Sequence, residues 1–182
     1  EVDVLELGLP CSGASPAGRA KNKLALPEEH PLVGALIAPA IAVIAKLNPV
    51  ALQENVPAYA RSASAAILRT QLRDMGYDVQ ERVLLGTDWG ELEARERWYL
   101  VATTKGIAFD LAALQPAPYP VRKLADIMDP IALDDPCWGP MQYLKDKEVR
   151  DIDAGKGFRM QIYDGREASI NTLTKGLAKR RS

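Results

Sequence analysis

Residues 2–7 (VDVLEL) alternate apolar and acidic side chains and then meet Gly8 and Pro10, a pattern that predicts a strand running into a loop. The loop extends through Lys23 and is rich in Gly, Ser, Ala and basic residues. Pro31 opens an apolar stretch, residues 32–47, that predicts a mostly buried helix perturbed at Pro39 and ended by Asn48-Pro49. Residues 50–53 predict a short strand, with Glu54-Asn55-Val56-Pro57 at its C-terminal end. A helix is predicted over residues 60–75: Ile67, Leu68, Leu72 and Met75 share one face, while Arg61, Arg69 and Arg73 lie off it. Gly76 stands where a left-handed C-cap is wanted, because it accepts positive φ at little steric cost. Residues 78–85 and 97–103 predict two strands, joined by a connection containing Gly86, Trp89 and Gly90. The order strand–helix–strand–helix–strand–strand argues for an open α/β sheet whose last two strands can run antiparallel. After Thr104, prolines at 116, 118, 120, 130, 136 and 140 interrupt the pattern, and only residues 158–163 resemble a strand. The expected division is therefore 1–104 and a smaller irregular module, 105–182.

Composition narrows the class. The chain has 182 residues, 47% hydrophobic and 26% charged, enough for one medium domain with a real core and too apolar for a disordered chain. Two cysteines exclude a disulfide scaffold. The sequence shows no signal-peptide pattern, and its longest uncharged apolar run, residues 32–45, is too short to span a bilayer. A soluble, cytoplasmic protein with no membrane partner is expected. The net charge of -1 hides a gradient: residues 145–182 carry ten Lys/Arg and six Asp/Glu, whereas residues 1–144 carry thirteen and eighteen. The basic end fits either a solvated tail or a surface that touches phosphate.

In an open α/β sheet the loops leaving the carboxyl ends of the strands form the site. Three such places hold reactive side chains: Cys11 after the first strand, Glu54 after the second, and Arg95 and Arg97 where the last strand begins. If that last strand is antiparallel, its start lies at the same edge, and a nucleophile, a proton-sharing carboxyl and a fixed cation converge. Taken singly, each has a plainer reading. A lone cysteine is commonly a buried hydrophobe, although Pro10 and Gly13 put Cys11 in a turn. Glu54 alone reads as a surface carboxylate, and Arg95-Glu96-Arg97 as a solvated charge run. Cys137, between Pro136 and Trp138, reads as structural, and His30 as a polar residue at a helix start. Two distant cysteines and one histidine give no zinc site, and no metal is expected. Neither a glycine-rich phosphate loop nor a serine-hydrolase elbow is present.

In order along the chain, Gly8-Leu9-Pro10-Cys11-Ser12-Gly13-Ala14-Ser15, Gln53-Glu54-Asn55-Val56, Gly76-Tyr77 and Glu93-Ala94-Arg95-Glu96-Arg97 resemble the DNA cytosine-5 methyltransferase family. That family has a Pro-Cys-Gln-x-x-Ser nucleophile loop, a Glu-Asn-Val carboxyl motif and a Gln-x-Arg-x-Arg motif. The resemblance covers residues 3 to about 104, and the irregular module looks like the start of the family's target-recognition domain. It implies a partial Rossmann-like methyltransferase sheet and methyl transfer from S-adenosylmethionine to C5 of cytosine in DNA. Cys11 would attack C6, Glu54 would hold N3, Arg97 would hold the base O2, and Arg95 would support the site or a nearby phosphate. Ser15 and Asn55 fall at substrate-binding positions. Pro10 is the one cofactor contact the resemblance offers.

Ser12 and Glu93 stand where the family has Gln. The aromatic-x-Gly-x-Gly cofactor loop has no counterpart before Cys11, nor does the acidic residue that holds the ribose, so the chain resembles the middle of a methyltransferase and is expected to bind cofactor poorly by itself. The strand at Val2–Leu7 is then expected to expose an edge through which the chain self-associates. The setting implied is bacterial or phage restriction–modification. Other readings stay open: cytosine-5 methylation of tRNA, as a relative within the family performs; a non-catalytic DNA-binding fragment; or an unrelated thiol enzyme on a flavodoxin-like sheet.

Overall fold

A computed structural model of the chain describes residues 2–173 apart from 35, 121 and 133. In chain order it contains β1 (Val4–Leu7), α1 (Pro16–Asn22), α2 (Pro31–Gly34), α3 (Ile37–Leu47), β2 (Val50–Asn55), α4 (Ala63–Asp74), β3 (Tyr77–Leu85), β4 (Glu93–Ala94), β5 (Glu96–Thr104), α5 (Gln142–Asp153) and β6 (Ile170–Asn171). The first four long strands form one mixed sheet in the order β1-β2-β5-β3. β1 and β2 are parallel, and β5 runs antiparallel to both its neighbours. The antiparallel last strand expected from the sequence is present, and it lies between β2 and β3.

Alternation sorts the side chains of this sheet. On one face Ala51, Gln53 and Asn55 of β2 lie opposite Ala102, Leu100 and Trp98 of β5, and all six are buried. Onto that face pack Ile44 of α3 and Leu68 and Leu72 of α4, which form one core cluster with Leu100 and Ala102. Each helix buries a stripe at helical spacing: Ile37, Ala40 and Ile44 on α3, and Ala65, Leu68 and Leu72 on α4. α4 starts at Ser62, whose hydroxyl accepts from the Ala65 amide at 3.1 Å, and ends with Gly76 at φ +87°, the left-handed cap anticipated. Asn48 caps α3 at φ 51°, and its side chain accepts from the Tyr77 hydroxyl at 3.0 Å, joining the end of α3 to the start of β3.

The opposite face carries Glu6, Leu52, Glu54, Arg97, Tyr99 and Leu84, none of them fully buried. Its β3 side is covered by the segment after β5. Gln80 donates to the Phe109 carbonyl and accepts from the Leu111 amide, both at 2.6 Å, and Arg82 donates to the Leu114 carbonyl at 2.8 Å. Residues 170–171 return to the β3–β5 connection, where β6 pairs with β4. There Gly90, at φ +86°, receives the Tyr119 ring, which a Cβ would meet at 2.7 Å.

Several expectations need correction. Residues 32–47 are two helices, with Leu36 as the cap of the second. Pro39 sits in the first turn of α3, where a missing N–H costs nothing, and so does not perturb it. The long loop contains α1, started by Ser15 and Pro16. Ile67 is 48% exposed; the buried stripe of α4 passes one residue behind it. Residues 158–163 form no strand, because no neighbour offers them a ladder, and the Met160 amide donates instead to Glu148. α5 lies unanticipated in the proline-interrupted stretch. Among the described residues no helix is long and apolar enough to cross a membrane.

Candidate active site

The parallel β1–β2 pair and the antiparallel β5 bring three chain segments to one sheet edge. Leu7 pairs with Gln53, and Asn55 pairs with Trp98, so β1 and β2 end where β5 begins. Glu54 lies opposite Tyr99, which makes Arg97 its diagonal neighbour on the same face, within reach of a long side chain. The Arg97 Nε meets Glu54 Oε1 at 2.6 Å, with 19% and 34% of the two side chains exposed. The Arg97 Nη1 also donates to the Glu96 carbonyl at 2.7 Å, which fixes the guanidinium plane.

This pair lines an open cavity of about 740 Å³ whose other walls include Glu6, Trp89, Tyr99 and Arg95. Arg95 is exposed at its rim. Glu93 faces it too, but its Oε1 accepts from the Leu173 amide at 2.9 Å. The carboxylate that stands in place of the family's glutamine is thus occupied in holding the returning chain.

Cys11 leaves the same edge in a tight turn, its carbonyl accepting from the Ala14 and Ser15 amides at 2.9 Å each. It is exposed and takes part in no disulfide. It is not among the residues that line the cavity; it is joined to them through Asn55, whose Nδ2 donates to the Leu9 carbonyl at 2.9 Å. Asn55 is 2% exposed, and its Oδ1 accepts from the Val56 amide, so both ends of this side chain are engaged within the protein. Ser15 is likewise engaged, its Oγ capping α1 through the Gly18 amide at 3.1 Å. Pro10 lies half-buried between Leu9 and Cys11.

Behind the cavity, on the core face, Glu81 of β3 accepts from Arg69 of α4 at 2.6 and 2.8 Å and from the Trp98 indole at 2.9 Å. Arg69 also donates to the Ala60 carbonyl at 2.7 Å and lies over the Trp98 ring. Burial alone would raise the Glu81 pKa, but the hydrogen bonds from Arg69 and Trp98 outweigh it and lower the pKa. This cluster fixes the residue next to Arg97.

Of the four residues the sequence brings to one edge, Cys11, Glu54, Arg95 and Arg97, the cavity gathers the last three and not Cys11, and it adds Glu6, Trp89 and Tyr99, which the sequence reading does not include. Glu6 was legible in principle, since alternation with Val4 puts it on the Glu54 face once β1 and β2 are parallel. The Arg69–Glu81 pair was not, because it depends on how α4 sits across the sheet.

Residues 1–169 match the sequence pattern of the C-5 cytosine-specific DNA methylase family. The Type II methyltransferase M.MspI of Moraxella sp is 34% identical over 104 residues, which are 55% of this chain and 24% of that protein. Among solved structures, the S. pombe Dnmt2 methyltransferase superposes on 97% of this chain with a TM-score of 0.64 and 17% identity, using 51% of its own length. A mutant DNMT2 from Spodoptera frugiperda covers 72% of this chain and 40% of its own, with a TM-score of 0.51 and 19% identity. At those identities the likeness is one of fold. This chain therefore spans about a quarter of the Moraxella protein and half of the S. pombe one.

Proposed function

Because the chain belongs to the C-5 cytosine-specific DNA methylase family, as its match over residues 1–169 shows, we propose that it carries the groups that activate a cytosine in DNA for substitution at C5. The observation that carries this reading is the Glu54–Arg97 pair on the cavity wall, at the sheet edge from which the Cys11 turn departs. C5 of cytosine is too electron-poor to attack a methyl donor directly. Cys11 sulfur adds to C6, the C5=C6 pair shifts to C4=C5, and the C4=N3 pair takes up a proton shared with Glu54. Arg97 holds Glu54 through Oε1, which leaves Oε2 for N3, and the same guanidinium would steady the base O2. The resulting enamine is nucleophilic at C5. Once C5 has taken its electrophile, loss of the C5 proton expels the thiolate and restores the ring. The base must leave the duplex first, at an unstacking cost of a few kcal/mol.

The family uses S-adenosylmethionine, which supplies the methyl group that C5 takes up. Among the described residues, the turn that follows β1 makes no seat for it. The turn after β1 runs directly into Pro10 and Cys11, and α1 begins only after Ser15, whose hydroxyl takes the Gly18 amide a ligand would need. The division of labour proposed is chemistry in residues 1–104 and target recognition in 105–182, with the β4–β6 pair and Tyr119 joining the two. Likeness to a Type II methyltransferase supports a cytoplasmic bacterial or phage restriction–modification setting. β1 is an edge strand with Val4 60% exposed, which supports self-association through Val2–Leu7; a monomer by light scattering at high concentration would refute that.

Ring activation without a methyl donor is measurable, because C5 of the enamine also takes a solvent proton. The chain should release tritium from duplex DNA labelled at cytosine C5, and Cys11→Ser should abolish the release while Cys137→Ser keeps it. Greater release from labelled tRNA than from DNA would reassign the polymer. No release from any cytosine polymer would overturn the reading. Salt-sensitive DNA binding that Cys11→Ser leaves intact, with no release, would favour the non-catalytic reading based on the basic end.

A further inference from the structure

We infer that Glu28, which no motif singles out, is the positioning residue that sets the Cys11 turn relative to Glu54; the inference rests on the reaction proposed above. Ala14 buries the middle of the Cys11 turn in the core cluster, and two further ties bear on its ends. One is the Asn55 bond to the Leu9 carbonyl, before the cysteine. The other lies after it, where Gly13 rests on the turn at residues 27–30 so closely that a Cβ would stand 2.2 Å from the Pro27 carbonyl oxygen and 3.0 Å from the His30 Cβ.

That supporting turn has no place in the sheet. Glu29 folds back on it, accepting from the Ala25 and Leu26 amides at 2.8 and 3.2 Å. Glu28 points outward and accepts from the Ser64 amide at 2.8 Å, across 36 residues. Ser64 lies in the first turn of α4, where the unpaired N–H groups and the helix dipole favour a carboxylate. Burial works to raise the Glu28 pKa, and the Ser64 amide together with neighbouring backbone amides reverses it into a lowered one. Residues 54–64 therefore hold the Cys11 turn from both sides: Asn55 grips its start, and Ser64, through Glu28, grips the floor under its end. The same short segment begins with Glu54, so cutting the Glu28 bond frees the thiol to drift from its carboxyl partner while leaving the cavity intact.

The experiment compares Glu28→Ala, Glu28→Asp and Glu28→Gln in the whole chain. Glutamine keeps an acceptor at the right distance, aspartate is too short, and alanine has none. Hydrogen exchange at the Ala14 and Ser15 amides, which both bond the Cys11 carbonyl, should rise about tenfold or more in the alanine and aspartate variants, as expected for loss of a bond to a charged acceptor. The Leu100 and Ala102 amides should keep their protection, and glutamine should stay near wild type. C5-tritium release at saturating DNA should fall in the same two variants, with DNA affinity unchanged. Unchanged exchange at Ala14 and Ser15 would overturn the inference. So would exchange that rises equally in β5, or a glutamine variant as loose as alanine. If the alanine variant fails to fold, the aspartate–glutamine contrast decides. Wild-type chain that releases no tritium would sink the proposed reaction, whereas the exchange data would still judge the Glu28 tie.

Discussion

Replacing Glu81 tests the core-face cluster that fixes the Arg97 strand. Glu81→Ala removes three hydrogen bonds at once, two from Arg69 and one from the Trp98 indole. Trp98 is 2% exposed, so its N–H is left without water, and an unsatisfied buried donor costs about 1–3 kcal/mol. The Arg69 side chain is 21% exposed and keeps its bond to the Ala60 carbonyl, so its loss is partly made good by solvent and adds about 1 kcal/mol. The expected destabilisation is about 2–4 kcal/mol, read as a fall of roughly 1–2 M in the urea midpoint for a slope near 2 kcal/mol/M.

Glu81→Gln, which keeps the shape and an acceptor but not the charge, should cost about 1–2 kcal/mol. Its pH dependence has a definite sign. The Glu81 pKa is lowered in the folded chain, so its contribution is complete above the ordinary carboxylate pKa of about 4.3 and is lost as pH falls through the folded value. The gap between wild type and Glu81→Gln should therefore narrow as urea curves are taken from pH 7 to pH 3. An alanine variant within about 0.5 kcal/mol of wild type, or a glutamine gap that widens in acid, would refute the reasoning.

Arg97→Lys should reduce C5-tritium release by about tenfold or more with little change in the urea midpoint, because an ammonium cannot reproduce the Nε contact to Glu54 while the backbone ladder of β5 stays whole. Gly13→Ala should lower both the melting temperature and tritium release, since its Cβ meets the Pro27 carbonyl. Gly8→Ala, with nothing within 4 Å of the added Cβ, should leave both unchanged. Glu93→Ala should speed hydrogen exchange at Leu173 without touching exchange in β2, separating the hold on the returning chain from the sheet itself.

What the sequence disclosed depended on how local each signal was. Glu54 and Arg97 could be brought together on paper because strand order and an antiparallel β5 place both at one edge, and that needs only periodicity and a turn. The Gly, Ser and Ala content around α1 reads as loop, although Ser15 followed by Pro16 is a helix-start signal that such composition obscures. α5 buries none of its residues, so no apolar stripe advertised it. Residues 158–163 show the reverse case: alternation without a neighbouring strand gives no ladder. The ties made by Asn55, Glu28 and Arg69 cross 46, 36 and 12 positions, and such pairings follow from packing rather than from any window of sequence.

A duplex bearing 5-azacytosine offers the sharpest trial, because its ring accepts a thiol at C6 without any methyl donor. Peptide mapping of the conjugate by mass spectrometry should find the nucleotide on Cys11, absent in Cys11→Ser and scarce in Glu54→Gln. Attachment at Cys137, or equal yields from wild type and Glu54→Gln, would contradict a ring held between sulfur, carboxyl and guanidinium.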